Sequence, residues 1–227
     1  MIIKQKWSRF REDLASIGFV SSCVKRLAWR FPSGPGAQML AQIDRFRMAR
    51  DLKKAEAEGV VPWTAAEFLA IENKYKTFLK YYRNRWPYLE AAATMAMKDK
   101  PNKILEVGAY LLPLFKSSDV IDLKTDIPRL TFRHDITKIP WPIKDKAYDT
   151  VIALQVWEHL GNAQADAFRE VMRVARSAVL SFPYLWDMPN NPSHHGIDKA
   201  IIARWTLHHP PEEVVEVFPR IIYRFRF

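Results

Sequence analysis

Lys103-Ile104-Leu105-Glu106-Val107-Gly108-Ala109-Tyr110 is the stretch on which the reading of this chain turns. It has the pattern of a short buried strand that ends in an acid and then a single glycine. An apolar run of this length suits a central parallel strand covered by helices on both faces. The glycine falls where the chain must turn sharply and where a ligand can approach bare backbone. The glutamate can accept hydrogen bonds from a bound amine or hydroxyl. Alone, the octet is equally compatible with an ordinary core strand and turn, so the case rests on its neighbours.

Downstream, apolar runs recur at strand length. Strands are predicted at Val120–Leu123, Leu130–Arg133, Thr150–Leu154 and Ala178–Phe182, with helices over Ala163–Arg176 and Lys199–Trp205. Val214–Val217 and Ile221–Phe227, joined by Phe218-Pro219-Arg220, are expected to form an antiparallel pair at the sheet edge. Strands alternating with helices predict an α/β fold with a mostly parallel sheet.

Upstream, the pattern is helical. Met1–Phe31 interleaves Lys4, Lys6, Arg9 and Arg11 with Trp7, Phe10 and Phe19. That composition fits a helix lying in a lipid headgroup layer, or a surface helix packed on its own domain. Phe31-Pro32-Ser33-Gly34-Pro35-Gly36 is a breaker cluster and the clearest linker. A helix follows with Met39, Leu40, Ile43 and Phe46 in phase, its tail stopping at Gly59 as a C-cap. Thr64 and Glu67 have the spacing of a capping box, ahead of the stripe Phe68, Ile71, Tyr75, Phe78, Leu79, Tyr82 and Trp86. Pro87 is expected to kink or end that helix.

The chain has 227 residues, 48% hydrophobic, with eight Trp and thirteen Phe, enough to build a substantial core. No run reaches the roughly 18–20 apolar residues of a membrane span. Ala15–Val24 is a poor signal-peptide core with no cleavage site after it, so a cytoplasmic location is expected. Lone Cys23 offers neither a disulfide framework nor metal-ligand spacing. The formal net charge is +10, and residues 1–100 hold nineteen Lys/Arg against ten Asp/Glu, while 101–227 hold sixteen against fifteen. The basic excess therefore belongs to the first hundred residues, as an anionic partner or simple solubility would favour. Two parts are expected: a basic helical N-terminal extension over 1–100, and the α/β domain over 101–227.

Ligands of open α/β sheets bind outside the carboxyl ends of the strands. Those ends carry Glu106 and Gly108, Asp122, Asp135, and the segment Gln155-Val156-Trp157-Glu158-His159. Acids at three successive strand ends suit a ligand with hydroxyls and positive charge, not a phosphate-rich one. An acid after the second strand can hold both hydroxyls of a ribose, and one after the third an exocyclic amine of adenine.

With these pieces, residues 103–227 resemble the class I S-adenosylmethionine-dependent methyltransferases, of the bacterial kind acting on small molecules and glycans. The resemblance is carried by Ile104–Gly108, by Asp122, by Asp135-Ile136, and above all by the run from Tyr148 to Leu160. It implies a Rossmann-like sheet of seven mostly parallel strands with the last antiparallel, and S-adenosyl-L-methionine as cofactor. It also implies contacts from Glu106, Gly108 and Tyr110 around the methionine part, from Asp122 and Leu123 at the ribose, from Asp135 and Ile136 at the adenine, and from Gln155 near the sulfonium. The family's further glycines in the first loop are replaced here by Tyr110 and Leu112, with Pro113 shortening the helix that follows.

Methyl transfer to a hydroxyl needs alignment and a proton acceptor. His159 and His195 are the candidate bases, and Tyr184, Trp186 and His194 the candidate acceptor contacts. No metal is expected, because the adjacent His194 and His195 point apart. His208-His209 reads as a turn. The expected activity is O-methylation of a small molecule, a sugar or a lipid-linked glycan, with peripheral membrane contact through the N-terminal helix. The alternatives are a nucleic-acid methyltransferase, disfavoured by the lack of an RNA-binding module, and a non-catalytic protein of the same fold.

Overall fold

The structure, a computed structural model, describes residues 47–74, 85–109, 112–124, 129–188 and 190–227. The expected helix over 1–31, the linker at 31–36, Tyr110 and most of the stripe beyond Ile71 lie outside them. The chain divides into two compact units, Met1–Asp51 and Leu52–Phe227. In the first, residues 47–51 are helical.

The second unit is built on one seven-stranded sheet. Its strands are β1 (Ile104–Val107), β2 (Ser118–Asp122), β3 (Phe132–Arg133), β4 (Tyr148–Leu154), β5 (Ala175–Pro183), β6 (Glu213–Val217) and β7 (Arg220–Arg226). They lie in the order β3-β2-β1-β4-β5-β7-β6. All neighbours are parallel up to β5, and β7 runs antiparallel between β5 and β6. The Rossmann-like, mostly parallel α/β sheet with an antiparallel last strand is therefore present. Central β1 and β4 are almost wholly buried, because helices and loops cover both faces of a parallel sheet. Edge strand β6 alternates between half-buried and exposed, as a one-sided strand should.

Four of the described α-helices accompany the sheet: α1 (Ala65–Lys74), α2 (Trp86–Met97), α3 (Gln164–Val174) and α4 (Lys199–Trp205). The capping box at α1 forms as expected. Thr64 N–H donates to Glu67 Oε2 at 2.8 Å, and Glu67 N–H returns to Thr64 Oγ1 at 3.3 Å. Gly59 caps the 3-10 turn Glu56–Glu58 at φ 80°. Pro87 stands in the first turn of α2, so it begins a helix here. A missing N–H costs nothing at that position, since the first-turn amides have no intrahelical partner. α2 buries Tyr88, Leu89, Ala92, Ala93, Met95 and Ala96 and packs on β5, β7 and β6. α3 buries Phe168 and Val171 in the main core with Trp141, Tyr148, Trp157, Phe182 and Phe225.

The connection from β1 to β2 departs from the usual crossover. A parallel pair ordinarily needs a dozen or more residues, generally a helix, to return the chain. Here Gly108 to Ser117 suffices, and its described residues contain no helix. The loop is held from upstream instead. Pro62 bridges Phe115, Trp63 N–H donates to the Leu114 carbonyl at 3.1 Å, and Lys116 N–H to the Val61 carbonyl at 2.9 Å. The nearly buried Lys116 ammonium reaches Glu58 at 2.6 Å and Glu67 at 2.5 Å. Among the described residues no helix is long and apolar enough to cross a membrane.

Candidate functional site

A cavity of about 470 Å³ opens at the carboxyl ends of β1, β2, β3 and β4. Gly108, Asp122, Leu123, Asp135, Ile136, Gln155 and His159 all line it, as do Val156 and Thr137. Its size is ordinary for a small-molecule site. Four loops contribute because the strands end in register: Val107 lies beside Ile121 on one side and Ala153 on the other.

Gly108 adopts φ +64°, and a Cβ there would stand 2.8 Å from Val156 Cγ2. The position therefore admits no side chain, for conformational and steric reasons together. Its N–H donates to the Ile121 carbonyl at 3.1 Å, pinning the loop to β2. Glu106 serves that same loop. Its buried carboxylate accepts from Leu114 N–H at 2.7 Å, Phe115 N–H at 2.9 Å and Ser118 Oγ at 2.7 Å. Three of about four acceptor positions on a carboxylate are thus filled by the chain itself. Glu106 acts as a positioning residue. Burial pushes its carboxyl upward, and the three donors partly offset this. Glu106, Gly108 and Leu112 also line a smaller cavity of about 40 Å³ beneath Phe68 and Tyr88. Leu112 is buried there and does not intrude on the larger cavity.

Asp122 accepts from Lys124 N–H at 2.8 Å through Oδ1. Leu123 exposes an apolar side chain beside it. Asp135 accepts from Thr137 N–H at 3.0 Å and Thr137 Oγ1 at 2.7 Å, and these bonds hold its carboxyl below the usual range. Gln155 ends β4 at φ +58°, a conformation that costs a non-glycine residue about 1–3 kcal/mol. Ser181 at the end of β5 holds it there: Gln155 N–H donates to the Ser181 carbonyl at 3.1 Å, and Nε2 to Ser181 Oγ at 3.2 Å.

Beyond Gln155 the 3-10 turns Trp157–His159 and Pro192–His194 pack against each other. They bring together Glu158, His159 and His194. Glu158 is wholly buried, and neither carboxylate oxygen has a hydrogen-bond partner among the described residues. Burial pushes its carboxyl up to about 8, while its own nearby backbone N–H, too poorly aligned for a hydrogen bond, and the Arg220 charge oppose the shift. Oε1 lies 3.9 Å from His159 Nε2 and 3.8 Å from His194 Nε2. His159 is half exposed and His194 buried, and desolvation lowers both imidazoles. Trp186 stands against His194, ring centroids 5.0 Å apart. The guanidinium of Arg220 lies 4.9 Å from the Trp186 ring and 4.5 Å from that of Tyr88.

The expected acceptor set is thus brought together only in part. His159, His194 and Trp186 converge. His195 turns away, its Nε2 2.5 Å from the Met188 carbonyl, and it does not line the cavity. It is set in the loop that it ties, which removes it from the place of a base. Tyr184 lies under Lys199, whose ammonium is 5.6 Å from its ring centroid. Glu158 and Arg220 were not among the candidates: a glutamate in a polar segment has the pattern of a solvated acid, and Arg220 arrives from a strand 62 residues later in the sequence.

Residues 116–180 match the family model described as a methyltransferase domain. Among solved structures, a protein from Pyrococcus horikoshii OT3 is similar at 14% identity and TM-score 0.50, covering 66% of this chain and 92% of that one. The N-methyltransferase NodS from Bradyrhizobium japonicum WM9 is similar at 15% identity and TM-score 0.50, covering 65% and 98%. A SAM-dependent methyltransferase from Aquifex aeolicus is similar at 13% identity and TM-score 0.47, covering 60% and 86%. No curated protein matches by sequence. A match to a methyltransferase domain over residues 116–180 thus sits within a fold shared with these structures, an N-methyltransferase among them.

Proposed function

We propose that this protein transfers the methyl group of S-adenosylmethionine, bound in the 470 Å³ cavity, to a hydroxyl of a small molecule, sugar or lipid-linked glycan. The observation that carries the reading is the convergence of Gly108, Asp122, Leu123, Asp135, Ile136 and Gln155 on that one cavity from four strand ends. In this reading the Asp122 carboxylate accepts from the ribose hydroxyls, and Leu123 and Ile136 enclose the adenine between apolar walls. Asp135, oriented by Thr137, takes the exocyclic amine. The methionine part passes bare backbone at Gly108, toward the loop that Glu106 closes. Gln155 stands near the sulfonium. His159 is the one cavity-lining histidine near that end with a ring nitrogen suited to accept a proton, while Trp186 and His194 flank the acceptor.

Methyl transfer is an in-line displacement. The acceptor oxygen loses its proton and attacks the methyl carbon. The carbon–sulfur bond breaks, and its electron pair stays on sulfur as S-adenosylhomocysteine. Alignment supplies most of what a protein can offer such a step. The basic helical extension over 1–100 would serve the acceptor side or a membrane surface, and 101–227 the chemistry.

Calorimetric titration with S-adenosylmethionine and S-adenosylhomocysteine tests the site. Asp122→Ala should weaken both by about 10- to 100-fold, the loss of hydrogen bonds to a charged acceptor. Binding that is unchanged in Asp122→Ala and in Thr137→Val would remove the cofactor from this cavity.

A further inference from the structure

We propose that Glu158, His159 and His194 form a binding site for one divalent transition-metal ion, of the Zn²⁺ or Mn²⁺ class, at the acceptor end of the cavity. Each residue offers one ligand atom, and the three atoms lie within 4.8 Å of one another. The independent sign is the wholly buried Glu158, whose two oxygens find no donor among the described residues. His194 Nδ1, also buried, has no partner among them either. A buried carboxylate with no hydrogen bond is costly, and native proteins rarely leave one so. A single proton would serve one oxygen and leave the other unanswered. One cation between Glu158 and the two Nε2 atoms answers the carboxylate.

Two of the three separations are close to what an ion requires, and the third, between the histidines, is within 4.8 Å. Ligand atoms about 2.1 Å from a tetrahedral ion stand about 3.4 Å apart. The Oε1–Nε2 separations of 3.8 and 3.9 Å need to close by a few tenths of an ångström. His159 is half exposed and free to make that movement. Its Nδ1 lies 3.4 Å from Ser193 Oγ, which donates to Asn191 Oδ1 at 2.7 Å. An Nδ1–H directed at Ser193 would leave the Nε2 lone pair for the ion, the outer hydrogen bond that metal-ligating histidines ordinarily make. Two imidazoles and one carboxylate select a borderline ion over Mg²⁺ or Ca²⁺, which prefer oxygen. His195 is engaged with the Met188 carbonyl and takes no part. The second nitrogen ligand comes instead from His159, across the two packed turns.

Three protein ligands leave positions open. His159 lines the cavity, which places the site at its wall. An acceptor hydroxyl bound there would be acidified by the ion and release its proton to water, leaving an alkoxide to attack the methyl carbon; with the ion bound, His159 is a ligand and no longer the base. This use of the ion rests on the methyltransferase reading above; its binding does not.

The test is made on the full chain, stripped with a chelator and titrated with Zn²⁺, Mn²⁺ and Mg²⁺ in the absence of S-adenosylmethionine. Calorimetry, metal content after gel filtration and Tm are the readouts. One Zn²⁺ or Mn²⁺ per chain should bind and raise Tm, with Mg²⁺ far weaker. Glu158→Gln and His194→Gln should each weaken binding at least tenfold. Because those buried changes can harm folding, His159→Ala at the cavity wall provides a second measure and should weaken it similarly. His208→Ala, on an exposed turn, should not. No stoichiometric binding, binding indifferent to His159→Ala, or binding lost in His208→Ala would overturn the site. Metal binding without S-adenosylmethionine binding would instead strike the methyltransferase reading, and the reverse result only this one.

Discussion

At the scale of single residues, the sharpest constraint is Gly108. Two separate effects forbid a side chain there: the left-handed backbone at φ +64° and the 2.8 Å approach of Val156 Cγ2. The left-handed conformation costs an L-residue about 1–2 kcal/mol. Gly108→Ala should therefore lower stability by about that much plus a steric part, and weaken S-adenosylmethionine binding as the loop shifts. Adding Val156→Ala should recover the steric part and leave the backbone part. A double-mutant cycle in urea measures the split, and strict additivity would show that Val156 does not feel the new methyl group. The glycine was legible because a lone glycine after a buried strand and an acid has few other uses. Glu158 was not. Its burial comes from the turn at 192–194, some 35 residues away in sequence, and no local pattern announces that closure.

At the scale of elements, the strands were legible and one connection was not. β4 and β5 are apolar runs whose burial follows from their place inside a parallel sheet, and they begin two and three residues before the expected starts. The loop from β1 to β2 lacks its crossover helix because Pro113 and a short span leave no room for one. What replaces that helix lies about 50 residues upstream, at Glu58, Pro62, Trp63 and Glu67. Glu106 is the inner clasp of this arrangement. Glu106→Gln would point an amide at one of the loop's N–H donors and should cost about 1–3 kcal/mol. Chemical denaturation checks the loss, and a change under 0.5 kcal/mol would mean the loop is held from upstream alone.

Helix α3 is clasped in a comparable way. Glu170 accepts from Trp141 N–H at 2.6 Å and pairs with Arg173 at 2.6 Å. The Arg173 hydrogen bond, with the Trp141 amide, holds the Glu170 carboxyl below its ordinary value despite burial. A carboxyl depressed in the folded state adds stability that is present above its unfolded value of about 4.3 and is lost as pH falls through the folded one. Wild-type Tm should therefore decline on acidification below about pH 5. Glu170→Gln should start lower at pH 7 and decline less steeply. Scanning calorimetry from pH 7 to 3 follows both, and parallel curves would show that Glu170 is not the group responsible.

At the scale of the whole molecule, the seven-stranded sheet depends on residues that precede it. α2 covers β5, β7 and β6, with Ala92 fully buried. Beyond its end, Lys98 meets Glu213 at 2.7 Å, and Asp99 binds Arg224 at 2.6 Å and also Arg226. Arg224 is itself nearly buried, so removing Asp99 would leave a guanidinium with only Glu212 to answer it. Partner loss at a buried ion pair is strongly destabilising. A fragment of 101–227 would retain every strand yet lose α2, the Asp99 clasp and the segment that holds the β1–β2 loop. It should be insoluble, or show the expanded, dye-binding behaviour of a partly packed state. A fragment of 52–227 retains all three and should melt cooperatively. Circular dichroism and dye binding on the two fragments decide the matter. A cooperative transition in 101–227 at a Tm near that of the longer fragment would mean that the sheet and its downstream helices form a sufficient core. The upstream helices would then be free to serve the acceptor side alone.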